Sequence, residues 1–319
     1  MGILKMTTNK ENHKEYKLVI AGLDNAGKTS ALIALRQKYN FYEYVKNLKP
    51  TIRVEYSSFD FLTKFKINLW DLGGQEKFRK IYIDNPIYFS ETDYLYFLID
   101  IQDELKFNDS MVYLSDILNI YRNMNYVNDI IICFSKHDPK FRKDENFEDR
   151  SKMLEELILK QNKDMSFKFF HISYYDISSI SKAISFSLNK ILNLEQISSE
   201  IKLLVEKFDC NHAILYTESG IIIADYYKET MDTREFDELI SNKISDDLEF
   251  FQRLKDDQLK IDDRVTITGG KVEYVKMIPL FSKQTKIVFY IGVSMNSNMI
   301  NEIKVELKQF QELLSSFIN

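Results

Sequence analysis

Several things are scarce in this chain of 319 residues. Two cysteines, Cys133 in an apolar run and Cys210 beside Asp209, are too few for a disulfide framework or a cysteine zinc cluster, so both read as reduced, packed thiols. His13 and His212 have no companion at metal-ligand spacing, so surface or packing roles are expected for them. With four prolines and nine glycines, no Pro/Gly/Ser-rich linker divides the chain, and no repeat or low-complexity tract is present. No apolar stretch approaches the roughly 20 residues that span a bilayer. Basic and acidic residues number 43 and 48, a net charge of -5 spread along the chain, so there is no basic field for nucleic acid.

The opening Met1-Gly2-Ile3-Leu4-Lys5-Met6 lacks the apolar region and cleavage site of a secretion signal. Gly2 invites acylation, but Met6 breaks the pattern that wants Ser or Thr there. Residues 3–15 are too polar for an amphipathic anchor. A soluble, cytoplasmic protein is expected, with peripheral membrane association left open.

What is present is globular in composition, 45% apolar and 29% charged, and long enough for two domains. From residue 16 to about 192, strand-like runs (16–21, 53–61, 64–71, 94–100, 129–134 and 168–172) alternate with helical patterns (27–38, 110–123, 151–161 and 180–192). That order predicts an α/β fold with a mostly parallel six-stranded sheet and ligands at the carboxyl ends of its strands. After a short junction near 193–196 the order changes to helix (196–208), two strands (212–216 and 221–227), helix (233–254), three strands (264–268, 271–280 and 286–294) and helix (299–317). This predicts an α+β unit with an antiparallel sheet, Gly269-Gly270 marking a tight hairpin turn. The domain reading is thus an extension over 1–15, a first domain over 16–193 and a second over 194–319. Phe236, Leu239, Ile240, Ile244, Leu248 and Phe251, at helical spacing, read as a core or dimer stripe.

"GLDNAGKTS" (22–30) satisfies GxxxxGK[ST] after a strand and at the start of a helix, the context the pattern requires. Glycines let the chain curl so that the N–H groups of Asp24, Asn25, Ala26, Gly27, Lys28, Thr29 and Ser30 converge with the helix N-terminus on phosphate oxygens. Lys28 adds a point charge for the β and γ phosphates, and Thr29 a hydroxyl ligand for Mg²⁺. The strand run 67–70 ends in Asp71-Leu72-Gly73-Gly74-Gln75-Glu76. A carboxylate at Asp71 suits the metal, through water, and Gly74 suits close approach of its N–H to a terminal phosphate. Gln75, neutral and able to donate and accept, suits the orienting of an attacking water. Tyr82, Tyr88 and Phe89 read as cover for the sheet before they read as a partner face.

"GLDNAGKTS", "PTIRVEY" and "WDLGGQEKFR" together resemble the small GTPases, and among them the Arf group, over residues 16 to about 192. The resemblance implies that Thr51 ligates Mg²⁺ and senses the γ-phosphate. It also places the base-reading motif at Ser135-Lys136-His137-Asp138, where Asp138 accepts from guanine N1–H and the exocyclic amine while the stem of Lys136 covers the ring. Ser135 departs from the family's Asn, and its hydroxyl is shorter than the amide that tethers the phosphate loop. Ser173 matches the last guanine loop, and Tyr174 stands where the family has a small Ala. His137 and His171 are loop neighbours of the site and are not expected to be catalytic.

The second unit, with the run "NHAILYTESG" (211–220), resembles the roadblock/longin group, roadblock because a helix precedes its first strand. A GTPase followed by such a unit is the layout of Rag/Gtr proteins, although the G-domain motifs look Arf-like. The resemblance implies a switch that binds GTP and GDP with Mg²⁺, hydrolyses GTP slowly, and pairs as a homo- or heterodimer through its C-terminal unit. GTPase-activating and exchange proteins are the expected partners. The alternative is a nucleotide-loaded scaffold with negligible turnover. A P-loop kinase would need a substrate-phosphate arginine set and a lid, neither of which is identifiable.

Overall fold

A computed structural model describes residues 14–36, 48–61, 65–141, 144–192, 194–228, 233–268, 270–282, 285–295 and 299–318. In the first domain the strands are β1 (Lys14–Gly22), β2 (Val54–Phe61), β3 (Phe65–Leu72), β4 (Tyr94–Asp100), β5 (Ile130–Ser135) and β6 (Phe167–His171). They form one sheet in the order β2-β3-β1-β4-β5-β6, with only the β2–β3 hairpin antiparallel. Among the described residues, five α-helices accompany it: α1 (Lys28–Arg36), α2 (Glu76–Asp84), α3 (Phe107–Asn123), α4 (Glu145–Gln161) and α5 (Ile177–Leu192).

Because side chains alternate along a strand, β1 feeds two cores at once. Leu18 and Ile20 join Ala183, Ile184 and Leu188 of α5 on one face. Val19 and Ala21 face the other way, with Leu114, Ile117 and Leu118 of α3 and Leu154 of α4. The parallel register aligns the strand ends: Ile20 lies opposite Asp71, Gly22 opposite Leu98, Asp100 opposite Ser135 and Phe134 opposite His171. The loops that leave these strands therefore share one rim of the sheet.

The second unit comprises α6 (Glu195–Lys207), β7 (Cys210–Thr217), β8 (Ile222–Tyr227), α7 (Thr233–Asp256), β9 (Asp263–Thr268), β10 (Lys271–Ser282), β11 (Thr285–Met295) and α8 (Ile300–Ile318). Its sheet is antiparallel, in the order β8-β7-β11-β10-β9. Helices α6 and α8 cover one face through Ile201, Leu204, Ile303 and Leu307, and Ile244 and Phe251 of α7 pack on the other. Between β9 and β10, Gly270 adopts φ +82° and Thr268 pairs with Lys271, while Gly269 of the expected turn lies outside the described residues. His13 and the side chains at 236, 239 and 240 lie outside the described residues.

No gap in packing separates the two units. Ile180, Ile184 and Leu188 of α5 and Ile197 and Ile201 of α6 belong to one continuous buried cluster that runs from the first sheet into the second. The Ile222 N–H donates to Ser185 Oγ at 2.9 Å, joining β8 to α5. Among the described residues, no helix is long and apolar enough to cross a membrane.

Beneath α7, His212 is buried with its Nε2 3.9 Å from Glu273 Oε2, and Glu273 also pairs with Lys243. Burial lowers the His212 imidazolium pKa to about 4, with Glu273 opposing and Lys243 adding to the shift. The unfolded chain therefore takes up a proton between pH 6.5 and about 4 that the folded chain refuses, so this group's contribution to stability falls as pH drops through that window. Buried Asp247, raised to about 6, acts in the opposite sense. From pH 7 to pH 5, His212→Gln is expected to lose about 2 kcal/mol less stability than the parent, measured by urea unfolding at the two pH values.

Candidate functional site

Strand β1 ends at Gly22, whose φ of +142° and position against β4 leave no room for a side chain: a Cβ would lie 2.4 Å from the Leu98 carbonyl oxygen. The loop then curls through Asp24, Asn25 and Ala26, with Asn25 at φ +64°, a left-handed conformation that Asn tolerates well, and Gly27 at φ +80°. Nothing lies within 4 Å of where a Cβ of Gly27 would stand. Helix α1 begins at Lys28, and Ala31 N–H donates to Gly27 at 2.9 Å. Lys28 is buried, and its Nζ donates to the carbonyls of Gly22 (3.0 Å) and Leu23 (2.7 Å). Burial lowers its pKa to about 8, with Asp71 and then Asp24 opposing the shift. An ammonium held in so dry a place is a strong attractor for anionic oxygen.

Thr29, one residue into α1, meets the end of β3. Its hydroxyl donates to Asp71 Oδ2 at 2.5 Å and lies 2.9 Å from the hydroxyl of Thr51. Burial raises the Asp71 carboxyl pKa, against the pull of Lys28 and the Thr29 hydroxyl. Its second oxygen, Oδ1, is buried and takes no hydrogen bond from the described residues. Two hydroxyls and a carboxylate with a spare oxygen form a hard, anionic donor set that fits Mg²⁺. Among the described residues, no group of three or more His, Cys, Asp and Glu side chains forms another candidate metal site.

The backbone after Asp71 is pressed against the phosphate loop. The Gly74 carbonyl accepts from Asp24 N–H at 3.1 Å, and a Cβ on Gly74 would lie 2.3 Å from Asp24 N and 2.4 Å from the Leu23 oxygen. Gly73 N–H donates to Arg53 O (2.7 Å) and to the Tyr82 hydroxyl (3.2 Å), which in turn donates to Arg53 O at 2.6 Å. Gln75 stands at the N-cap of α2, where its carbonyl accepts from Phe78 and Arg79 and its half-exposed amide makes no cap bond. Tyr82 and Phe89 are buried, as cover for the sheet requires.

At the far end of the rim, Lys136 takes φ +60° in the turn after β5, and its Nζ pairs with Asp100 Oδ2 at 2.6 Å. Buried Asp138 accepts from the Ser173 hydroxyl at 2.6 Å and from Gln102 Nε2 at 3.2 Å. Ser173 Oγ also accepts from Tyr175 N–H at 3.1 Å, so the last loop is folded around this oxygen. Tyr174 packs against the core, its ring centroid 4.3 Å from that of Tyr175. The Ser135 hydroxyl donates to Ile99 O at 3.1 Å, across to β4 rather than to the phosphate loop. The His137 and His171 rings meet at a tilt of 48°, centroids 4.5 Å apart, and burial lowers the His171 pKa to about 4, with His137 adding to the shift.

The fold thus brings Lys28, Thr29, Thr51, Asp71 and Gly74 into one cluster and Lys136, Asp138 and Ser173 into another along the same rim. Gln102 and Lys106 are not anticipated by the sequence, nor are the hydroxyl bonds of Tyr82, which reads there only as cover for the sheet. Gln102 and Lys106 lie in a polar stretch with no periodicity. Filling the Gly74 contact is expected to displace the phosphate loop: Gly74→Ala should lower stability by about 2 kcal/mol or more. Gly27→Ala, which meets open space and only left-handed strain, should lower it by about 1 kcal/mol. Urea unfolding of both variants checks this ordering.

ADP-ribosylation factor-like protein 3 of Saccharomyces cerevisiae is 29% identical over 118 residues, which cover 36% of this chain and 58% of that protein. ADP-ribosylation factor-like protein 3 of Chlamydomonas reinhardtii is 32% identical over 119 residues (37% and 62%), and ADP-ribosylation factor-like protein 2 of Dictyostelium discoideum 31% over 119 residues (37% and 60%). The chain spans less than two thirds of the length of these relatives. Among solved structures, the Arl6 BBS3 small GTPase from Trypanosoma brucei with bound nucleotide analogue GppNp aligns at 18% identity and a TM-score of 0.45, covering 56% of this chain and 97% of that one. The family described as "Gtr1/RagA G protein conserved region" matches residues 17–244, well over half of the chain and across both units. With a P-loop GTPase sheet, an antiparallel C-terminal sheet and this match, the chain belongs to the Gtr1/RagA family of G proteins.

Proposed function

We propose that the protein is a GTP-hydrolysing switch whose nucleotide contacts are those of the rim just described. The observation that carries this reading is the meeting of Thr29, Thr51 and buried Asp71 beside the phosphate loop, with one Asp71 oxygen unshared. The polyphosphate would take the amides of residues 24–30 and the Lys28 ammonium, replacing the internal bonds to Gly22, Leu23 and Gly74. Thr29, Thr51 and, through water, Asp71 would hold Mg²⁺, which when bound neutralises charge developing on the phosphate oxygens. Asp138 would accept from guanine N1–H and its amine, a pairing that adenine cannot reproduce. Lys136 would cover the ring, and the loop at Ser173 and Tyr174 would close around it.

Gln75 is the residue for orienting the attacking water, its side chain uncommitted at the head of α2. A γ-phosphate would hold Thr51 and Gly74, and its loss would free both segments. Intrinsic turnover is slow in this reading, and an activating protein would supply an arginine finger. The residues of the hydrolytic cluster favour this over a nucleotide-loaded scaffold, which has no use for a water-positioning glutamine. Gln75→Leu should keep GTP affinity while slowing phosphate release roughly 10- to 100-fold in single turnover. Equal turnover in parent and variant, or equal affinity for GTP and ATP in Mg²⁺, overturns the reading.

Pairing through the C-terminal unit completes the proposal. Strand β9 bonds to β10 alone and is an edge of its sheet, with Val265 (41% exposed) and Ile267 (67% exposed) on one face. An unpaired edge with apolar residues is a template for another chain's strand. Ile267→Lys should shift the solution mass of any assembly toward the monomer, as measured by light scattering, with the G domain's nucleotide binding unchanged.

A further inference from the structure

Residues 100–106, between β4 and α3, touch both halves of the nucleotide site. Asp100 Oδ2 pairs with Lys136 Nζ (2.6 Å), and its Oδ1 accepts from Gln102 N–H (3.0 Å). Gln102 Nε2 donates to Lys136 O (2.7 Å) and to Asp138 Oδ2 (3.2 Å), thereby holding the left-handed turn of the base-reading loop and its buried carboxylate together. Four residues on, Lys106 Nζ reaches the phosphate loop: it donates to Asp24 O (3.3 Å) and lies 3.7 Å from Asp24 Oδ2 and 3.7 Å from Asp103 Oδ2. Ile101 N–H donates to Ser135 O (3.1 Å), and Arg150 of α4 donates to Ile101 O (3.3 Å) and pairs with Glu104, so the segment is braced from outside.

These contacts fill a specific gap. Ser135 spends its hydroxyl on Ile99 O, so this side chain does not reach from the base-reading turn to the phosphate loop. The segment before α3 makes that span instead. We infer that Gln102 and Lys106 are positioning residues for the nucleotide, Gln102 fixing the Asp138 carboxylate for the base and Lys106 fixing the phosphate loop at Asp24. This rests on the guanine-nucleotide reading above. Gln102 works by donating a charge-assisted hydrogen bond that aims the carboxylate, leaving its remaining lone pairs toward the base. Lys106 works as a charge, tying a carbonyl and a carboxylate of a loop that otherwise presents its amides inward.

The two roles separate experimentally. In the full-length protein with Mg²⁺, dissociation of the fluorescent N-methylanthraniloyl derivatives of GDP and of IDP, which lacks the exocyclic amine read by Asp138, is measured by stopped flow. Gln102→Ala should release GDP about tenfold faster and narrow the preference for GDP over IDP. Gln102→Glu, which sets a second carboxylate against Asp138, should go further in the same direction. Lys106→Ala should hasten both nucleotides by one common factor, leaving the preference unmoved, and Lys106→Arg should restore slow release. Circular dichroism verifies that each variant is folded. Both alanine variants releasing GDP within about twofold of the parent overturns the inference, as does an unmoved preference in Gln102→Ala or failure of Lys106→Arg to rescue. A parent that retains no guanine nucleotide overturns the proposed function and this inference with it; a parent that retains it while the variants behave alike overturns the inference alone.

Discussion

The parallel pairing of β1 with β3 sets Ile20 against Asp71, and from this register the rest of the site follows. It delivers one carboxylate to the loop that leaves β1, where Thr29 at the start of α1 can donate to it and Lys28 can balance its charge. A shift of one residue would turn Asp71 to the opposite face of the sheet and leave the loop without its anionic neighbour. The strand's outer pairing with β2 then carries Thr51 and Arg53 within reach, closing the hydroxyl pair and the Gly73 and Tyr82 bonds. The electrostatics are those of a dry site: an ammonium lowered and a carboxyl raised by burial, each partly restored by the other.

Much of this was legible because period and punctuation agree. The continuous apolar runs of β4 and β5 are buried along their whole length, as central parallel strands should be, and the glycines at 22, 27 and 74 stand where backbone geometry forbids or disfavours a side chain. The helix Glu76–Asp84 was not read, because its charged length buries only Phe78 and Tyr82, with Ile83 half-buried beside them. Helix α4 starts six residues ahead of its expected beginning at 151: Asp144 caps it by accepting from Asn146 N–H at 3.0 Å, and Glu145 and Glu148 suit its positive end. Those polar residues look like loop to a reading that follows apolar spacing.

The contacts of Gln102 and Lys106 were illegible for a different reason. Their partners lie 34 to 82 positions away in the chain, and nothing local marks a polar side chain as spanning a rim. The replacement of Asn by Ser at 135 was visible, but its consequence was not, since the direction of a short hydroxyl is settled only by the strand beside it. In the C-terminal unit the order of elements was readable, while the charged groups between α7 and the sheet, buried His212 and Asp247 with part-buried Glu273 and Lys243, emerged only from packing.

Helix α5 has an unusual set of fully sheltered hydroxyls: Ser181, Ser185 and Ser187 are all buried, and Ser185 both donates to the Ser181 carbonyl and receives the Ile222 amide. One end of this helix starts just after the Ser173 loop, and its flank packs against the second unit at β8. A cut between the halves would therefore lay bare greasy surface on both pieces and strand a main-chain amide, so neither fragment inherits a finished exterior. The two sheets are in that sense finished against each other, through one buried cluster and one main-chain hydrogen bond.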